Sequence, residues 1–259
     1  MLDRNKPFLD SQIIQADSLT VTIASSSREL ALDASTQARE YLQWLLTQQQ
    51  TVSIVLATGN SQLQFLDNLT RDRHLDWSRI ILFHLDEYLG ISAEHPGSFG
   101  YYLRDKVEQR VKPRVFNYIQ GDALQPLTEC DRYSKLLQQQ EIDLCLLGIG
   151  DNGHLAFNEP TVADFNDSKV IKLVRLETKT RQQQVNGGYF PDLDAVPAYA
   201  YTLTISTICS AKKIFCLAGG NHKAKVVSQT LNDAIAPNFP ATILRTLPQA
   251  TLFCTVNAV

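Results

Sequence analysis

The chain has 259 residues, of which 44% are apolar and 20% charged, and its formal net charge is −3. Those values suit a globular protein with a sizeable core, leave no basic footprint for nucleic acid, and include no run of about 18 apolar residues to span a membrane. The opening residues lack an apolar signal core, so the expected location is the cytoplasm.

In chain order, residues 1–20 read as an edge segment, and residues 18–24 alternate as a short strand. Ser25, Ser26 and Ser27 can cap a helix in which Leu30, Ala34, Ala38, Tyr41 and Leu45 form one apolar face. Residues 51–57 are a β-branched apolar run, hence a buried strand; Thr58, Gly59, Asn60 and Ser61 end it, and a helix follows over 62–69. A strand over 79–85 leads to Asp86 and Glu87, and a loop with His95, Pro96 and Gly97 leads to a helix over 99–110. Residues 114–119 are strand-like and 129–140 helical. Residues 142–149 form the central strand, which breaks into a turn with Gly148, Gly150 and Gly153, followed by His154 and Glu159, with Asn152 and Asn158 beside them.

Past Pro160 the pattern loosens. Strands are expected over 170–176, 199–205 and 213–217, and the polar stretch 178–186, with Arg181, is expected to be mobile and solvent-facing. The strand over 213–217 runs into Gly219, Gly220, Asn221, His222 and Lys223 and then a helix to about residue 231; segments 241–244 and 250–256 close the chain. Cys130, Cys145, Cys209, Cys216 and Cys254 include no C-x-x-C pair and fall mostly in apolar runs, the pattern of buried reduced thiols and not of a metal site. There is no repeat and no low-complexity linker. Strands alternating with helices imply an α/β fold: an open, mainly parallel twisted sheet with helices on both faces, modified Rossmann-like, as one domain over residues 1–259.

In such a sheet the strand ends share one edge, where ligands bind. Residues 58–61, the pair Asp86 and Glu87, the turn from Gly150 to His154, and residues 219–223 can therefore converge. Glycine permits close approach of backbone to a ligand, and N–H groups at a helix start suit an anion, to which Lys223 adds a full charge. A lone loop histidine is most often structural, but here an imidazole, a carboxylate and several glycines are crowded together. Neither G-x-G-x-x-G opening a helix nor G-x-x-x-x-G-K-[ST] is present, so the expected phosphate belongs to a small substrate rather than a nucleotide.

At these residues the sequence resembles the glucosamine-6-phosphate deaminase (isomerase) family, which shares its fold with 6-phosphogluconolactonases. Residues 83–90, FHLDEYLG, resemble the family's F-x-x-D-E-Y-x-G, and residues 148–160, GIGDNGHLAFNEP, its G-x-G-x-[DN]-G-H-[IL]-[AG]-F-N-[ED]-P. Thr58, Gly59, Asn60 and Ser61 resemble its T-G-G-[ST] phosphate loop, and His222, Lys223 and Ala224 its late lysine motif. The D-E-Y and F-N-E-P forms favour the deaminase branch. The resemblance implies conversion of an amino-sugar phosphate, glucosamine 6-phosphate foremost, to the ketose phosphate and ammonia, without metal or organic cofactor. It assigns Asp86 as the base at C2 and His154 as the ring-opening proton carrier, its tautomer set by Glu159. It gives the phosphate to Thr58, Gly59, Asn60, Ser61 and Lys223, with Glu87 and Gly150 in the substrate site. The implied partner is a small sugar phosphate, and the implied assembly a monomer or small homo-oligomer. The alternatives on the same fold are a 6-phosphogluconolactonase-like hydrolase and a plain sugar-phosphate isomerase.

The departures shape the expectations. Asn152 stands where some members have Asp, which routes any relay with His154 through Glu159. Asn60 replaces the second glycine of the phosphate loop, so an altered or crowded loop is expected. The family's second phosphate cation falls at Gly188, and Arg181 or Arg245 is the expected substitute. Val162 and Ala163 stand where regulated relatives have serines, and no C-terminal extension follows Val259, so no activation by N-acetylglucosamine 6-phosphate is expected.

Overall fold

Residues 11–256 are described by a computed structural model. Residues 1–10, the first half of the expected edge segment, lie outside the described residues. Gln12–Ala16 (β1) and Leu19–Ala24 (β2) form a hairpin whose turn puts Asp17 at φ 51. In helix Ser27–Gln48 (α1), the Ser26 hydroxyl accepts the Glu29 amide at 3.2 Å; Leu30, Ala34, Ala38 and Leu45 are buried as the spacing requires, Tyr41 is half-buried, and Leu42 joins the buried face.

The remaining elements are strands Val52–Leu56 (β3), Ile80–His84 (β4), Asp86–Tyr88 (β5), Val115–Phe116 (β6), Leu144–Gly148 (β7), Ile171–Arg175 (β8), Tyr199–Leu203 (β9), Ile214–Ala218 (β10) and Ala250–Thr255 (β11). Between them lie helices Asn60–Arg71 (α2), Phe99–Leu103 (α3), Gln109–Val111 (α4), Pro126–Leu137 (α5), Thr178–Asn186 (α6), Ile205–Cys209 (α7) and Ala224–Asn232 (α8). One π turn, Arg104–Glu108, joins α3 to α4, and the 241–244 segment is part of a 3-10 helix, Pro240–Thr246. No helix of the described residues is long and apolar enough to cross a membrane.

Eight strands form one sheet in the order β1-β2-β11-β10-β7-β3-β4-β6, parallel throughout except for β1 against β2. Every residue of β3, β10 and β11 is buried, as expected of parallel strands covered on both faces. The chain builds outward from β3 through β4 to β6, then returns to lay β7 on the other side of β3. This reversal opens a crevice beyond the carboxyl ends of β3 and β7.

Two expectations for the later half need correction. The strands near 170–176 and 199–205 exist, but they leave the main sheet: β5, β9 and β8 make a separate three-stranded antiparallel sheet. Half-buried Lys172 and Leu173, on opposite faces, and exposed Arg175 show why, since β8 is partly open to water on both faces, which a central parallel strand is not. The stretch 178–186 is exposed at Thr178, Lys179, Gln182 and Asn186, as expected of a solvent-facing segment, but it is ordered. It is helix α6, with Thr180 buried and with Gln183 and Gln184 turned to the cavity described below.

Candidate active site

A cavity of about 630 Å³ occupies the crevice, walled by residues just past the ends of β3, β4, β7 and β10. Thr58, Ser61, Asp86, Gly150, His154 and Lys223 all line it, so the four strand ends do converge.

One end is built for an anion. Gly59 precedes α2 at φ 99 and ψ 173, a backbone that favours glycine. No side chain caps α2; the Gln62 amide bonds to the Gly59 carbonyl at 3.0 Å, and Asn60 and Ser61, at the positive end of the helix dipole, line the cavity. Asn60 is the first helical residue and needs no positive φ, so replacing a glycine there does not disturb the loop; its side-chain oxygen accepts from the Tyr189 hydroxyl at 3.1 Å. Buried Gln62 donates to the Leu147 carbonyl at 3.0 Å and ties α2 to the end of β7. Across the crevice, Lys223 Nζ donates to the Ile149 carbonyl at 2.9 Å and to Asp151 Oδ1 at 2.8 Å. The other Asp151 oxygen accepts from Gln183 of α6 at 2.7 Å. Partial burial works to raise the Asp151 pKa, but Lys223 holds it below the usual carboxylate value.

The arginines are elsewhere. Arg181 donates to the carbonyls of Leu193 at 2.6 Å and Val196 at 2.8 Å, fastening the chain after α6. Arg245 donates to the carbonyls of Leu231 and Asp233 and pairs with Asp17 at 3.4 Å. Neither lines the cavity, so neither replaces the missing phosphate cation; backbone carbonyl oxygens elsewhere engage both guanidinium groups first. Glu87 also departs from its expected place. Its carboxylate, 2% exposed, accepts from Ser98 Oγ at 2.7 Å and from the amides of Tyr88, Phe99 and Gly100 at 2.9, 3.1 and 2.8 Å. It therefore anchors the start of α3, the wall that carries Pro96 to Phe99, and does not face the cavity.

Asp86 and His154 carry the proton chemistry. Asp86 sits on the cavity wall, with no hydrogen bond to its carboxylate among the described residues. Burial, and then the neighbouring Glu87 charge, push its pKa well above the ordinary aspartate value, which makes it a stronger base. Burial, with Lys223 nearby, pushes the His154 pKa down to about 4, so the imidazole is neutral at pH 7. Its tautomer follows from Asn152. The Asn152 side-chain oxygen accepts the His154 backbone N–H at 3.2 Å, so the atom facing the ring is oxygen. The same oxygen lies 2.7 Å from His154 Nδ1, which must therefore carry the proton. Nε2 is left with its lone pair, the form a proton acceptor needs. Gly150 is glycine because the ring lies against it: a Cβ at that position would overlap the imidazole.

Glu159 is not the partner of His154. It is fully buried, its Oε2 accepts the Glu177 backbone amide at 2.7 Å, and burial raises its pKa. The expected His154–Glu159 relay is corrected to a His154–Asn152 pair, because the turn at Gly153 folds Asn152 back beneath the ring while Glu159 points to the start of α6. Asn158, also buried, clamps the turn by donating to the carbonyls of Leu155 at 2.9 Å and Leu203 at 2.8 Å.

Sequence reasoning missed Asp151, Gln183, Tyr189 and Glu177. Asp151 was legible, as a carboxylate between Gly150 and Gly153. The other three reach the site only because α6 folds over it, and no local pattern announces that.

Comparison with known proteins agrees with this fold. The family model for glucosamine-6-phosphate isomerases/6-phosphogluconolactonase matches residues 25–253. A glucosamine-6-phosphate deaminase of Exiguobacterium sp. is 37% identical over 197 residues, covering 76% of this chain and 75% of that protein. One of Listeria monocytogenes is 33% identical over 224 residues, covering 86% and 93%. Among solved structures, a monomeric glucosamine-6-phosphate deaminase superposes with a TM-score of 0.84 at 32% identity, covering 92% of this chain and 98% of that one. A 6-phosphogluconolactonase of Shewanella baltica reaches a TM-score of 0.77 at 17% identity, covering 94% and 100%, and shares the fold. The chain belongs to the glucosamine-6-phosphate isomerase/6-phosphogluconolactonase family.

Proposed function

We propose that this protein converts glucosamine 6-phosphate and water to fructose 6-phosphate and ammonia. The observation that carries the reading is one cavity that brings together a base, a neutral imidazole and a lysine beside a helix start with no side-chain cap. The relatives named glucosamine-6-phosphate deaminases support the same choice of substrate.

The steps follow from the groups. The phosphate sits on the first turn of α2, with Thr58, Gly59 and Ser61, and against Lys223; its binding energy holds the sugar carbons in place. His154 Nε2 takes the O1 proton and returns it to O5 as the C1–O5 bond breaks, opening the ring to the aldehyde. Asp86 then carries the C2 proton to C1 while a proton from the amine ends on O1, leaving an imine at C2. Water adds to that carbon and ammonia leaves, giving the ketose. Asn152 keeps His154 in the accepting tautomer, and Glu159 braces the backbone behind it. A phosphorylated sugar does not cross a lipid bilayer unaided, which supports a cytoplasmic enzyme; a monomeric solved relative supports a monomer or small homo-oligomer.

The test is ammonia release from glucosamine 6-phosphate beside galactosamine 6-phosphate, repeated with Asp86→Asn. Release from the first substrate is expected, with kcat falling about 10²- to 10⁴-fold in the variant and sugar-phosphate binding kept. Release from galactosamine 6-phosphate alone would retain the chemistry and change the substrate. Hydrolysis of a phosphogluconolactone with no ammonia from either would overturn the reading.

A further inference from the structure

Asn152 can hold His154 in one tautomer only while its own amide stays one way round. A side-chain amide is nearly symmetrical in shape, so turning it over exchanges oxygen for NH₂ at little steric cost. Something must make the two orientations unequal. On the His154 side, the backbone N–H at 3.2 Å asks for oxygen. On the other side, Asn152 Nδ2 lies 3.5 Å from Glu177 Oε2, a carboxylate oxygen that can only accept.

Glu177 is itself fixed. The Thr161 hydroxyl donates to its Oε1 at 3.2 Å, and its backbone amide is held by buried Glu159 at 2.7 Å. A chain of polar contacts therefore runs from Glu159 to the Glu177 backbone, through the Glu177 carboxylate to the Asn152 amide, and on to His154 Nδ1. We propose that Glu177 is a positioning residue: it orients Asn152, and through Asn152 it sets the His154 tautomer that leaves Nε2 unprotonated. Its importance for turnover rests on the function proposed above; its effect on the tautomer does not. Glu177 touches neither the cavity nor the imidazole. If the acceptor is lost, the turned-over amide puts NH₂ toward Nδ1, the proton moves to Nε2, and the ring meets the substrate as a donor instead of a base.

The experiment uses the full chain with 15N-labelled histidine and reads the Nδ1 and Nε2 resonances of His154 without substrate, with kcat and KM measured in parallel. In the unsubstituted protein, Nδ1 should be protonated and Nε2 bare. Glu177→Ala should bring in a population with the proton on Nε2 and lower kcat on the order of tenfold, with KM within about twofold. Glu177→Gln, which keeps an accepting oxygen, should restore most of the activity and the original tautomer. Thr161→Val, which leaves Glu177 in place but untethered, should shift the tautomer in the same direction by less, and it serves if Glu177→Ala fails to fold. A role in stability alone would lower the melting temperature and leave both nitrogens as they were; that result in Glu177→Ala, or in Thr161→Val if it alone folds, overturns the inference. An unsubstituted protein that releases no ammonia, yet whose tautomer still answers to Glu177, would overturn the proposed reaction and leave the tautomer assignment standing.

Discussion

The Asp151 carboxylate stands 2.8 Å from the Lys223 ammonium, inside the cavity where a phosphate would take its place. The lysine is thus already paired before substrate arrives, and a phosphate must compete with a resident anion. The pair is half open to water, so its own worth is on the order of 1 kcal/mol or less. Asp151→Asn should bind inorganic phosphate a few-fold more tightly as a competitive inhibitor, with a steeper salt dependence. Lys223→Met should weaken the same inhibition by about tenfold or more, one lost charge-assisted contact being worth roughly 1.5–3 kcal/mol. Weaker inhibition in Asp151→Asn would mean that the carboxylate holds Lys223 in its working position instead of competing for it.

Gly150→Ala isolates the placement of His154. The added methyl would occupy the space of the imidazole, so the ring must leave the Asn152 oxygen. Gly150 is not among the residues with positive φ, and the backbone itself tolerates alanine there. A fall in kcat of about 10²-fold is expected, the scale of a displaced general base, with only a modest change in melting temperature. Full activity in this variant would show that the ring position does not matter.

Arg181→Met separates structure from binding in the arginine that looked like a phosphate ligand. Losing its bonds to the Leu193 and Val196 carbonyls should cost about 1–3 kcal/mol in urea unfolding. Phosphate inhibition should stay within about twofold. A collapse of phosphate affinity at unchanged stability would restore the arginine to the binding site.

His84 should give the fold an acid weakness. The ring is fully buried, its Nε2 accepts the Ile119 amide at 2.8 Å, and burial pushes its pKa from 6.5 to about 3. Between those values the unfolded chain binds a proton that the folded chain refuses, so stability from this group is complete above pH 6.5 and is lost as pH falls toward 3. The slope approaches about 1.4 kcal/mol per pH unit inside the window. Buried Asp86 works the other way, because its raised pKa favours the folded state while it remains protonated. Urea midpoints measured from pH 7.5 down to 4.5 should fall for the unsubstituted protein and fall less for His84→Asn; parallel curves would clear His84 of the effect.

Much of this was legible in the chain because it is local. The run 51–57 could only be a buried strand, and the glycine turn with His154 could only sit past the end of one, so the convergence of Thr58, Asp86, His154 and Lys223 followed from parallel-sheet geometry. The errors lie where a partner comes from far along the chain. Glu87 looked like half of a cavity pair, but it turns away toward the Ser98 hydroxyl and the Phe99 and Gly100 amides, 11 to 13 residues later. Glu159 looked adjacent to His154 by count, but it is drawn to the Glu177 amide 18 residues on, which leaves the place beside His154 to Asn152. Arg181 was read as available because nothing nearby in sequence foretells the Leu193 and Val196 carbonyls.

The strand order also dictates when the enzyme can come into being during synthesis. β3, β4 and β6 are made in succession and can pair as they emerge, but β2 must wait for β11, whose Thr251 lies opposite Thr20. β10 pairs with β7 on one side and β11 on the other, and it seats Leu217 beside Gly148 just where the histidine turn and the lysine turn depart. A nascent chain stopped before β11 therefore carries two bare strand edges and an unfinished active site. Such edges recruit other chains, so premature termination near the end should yield aggregates or proteolytic fragments rather than a slightly slower catalyst.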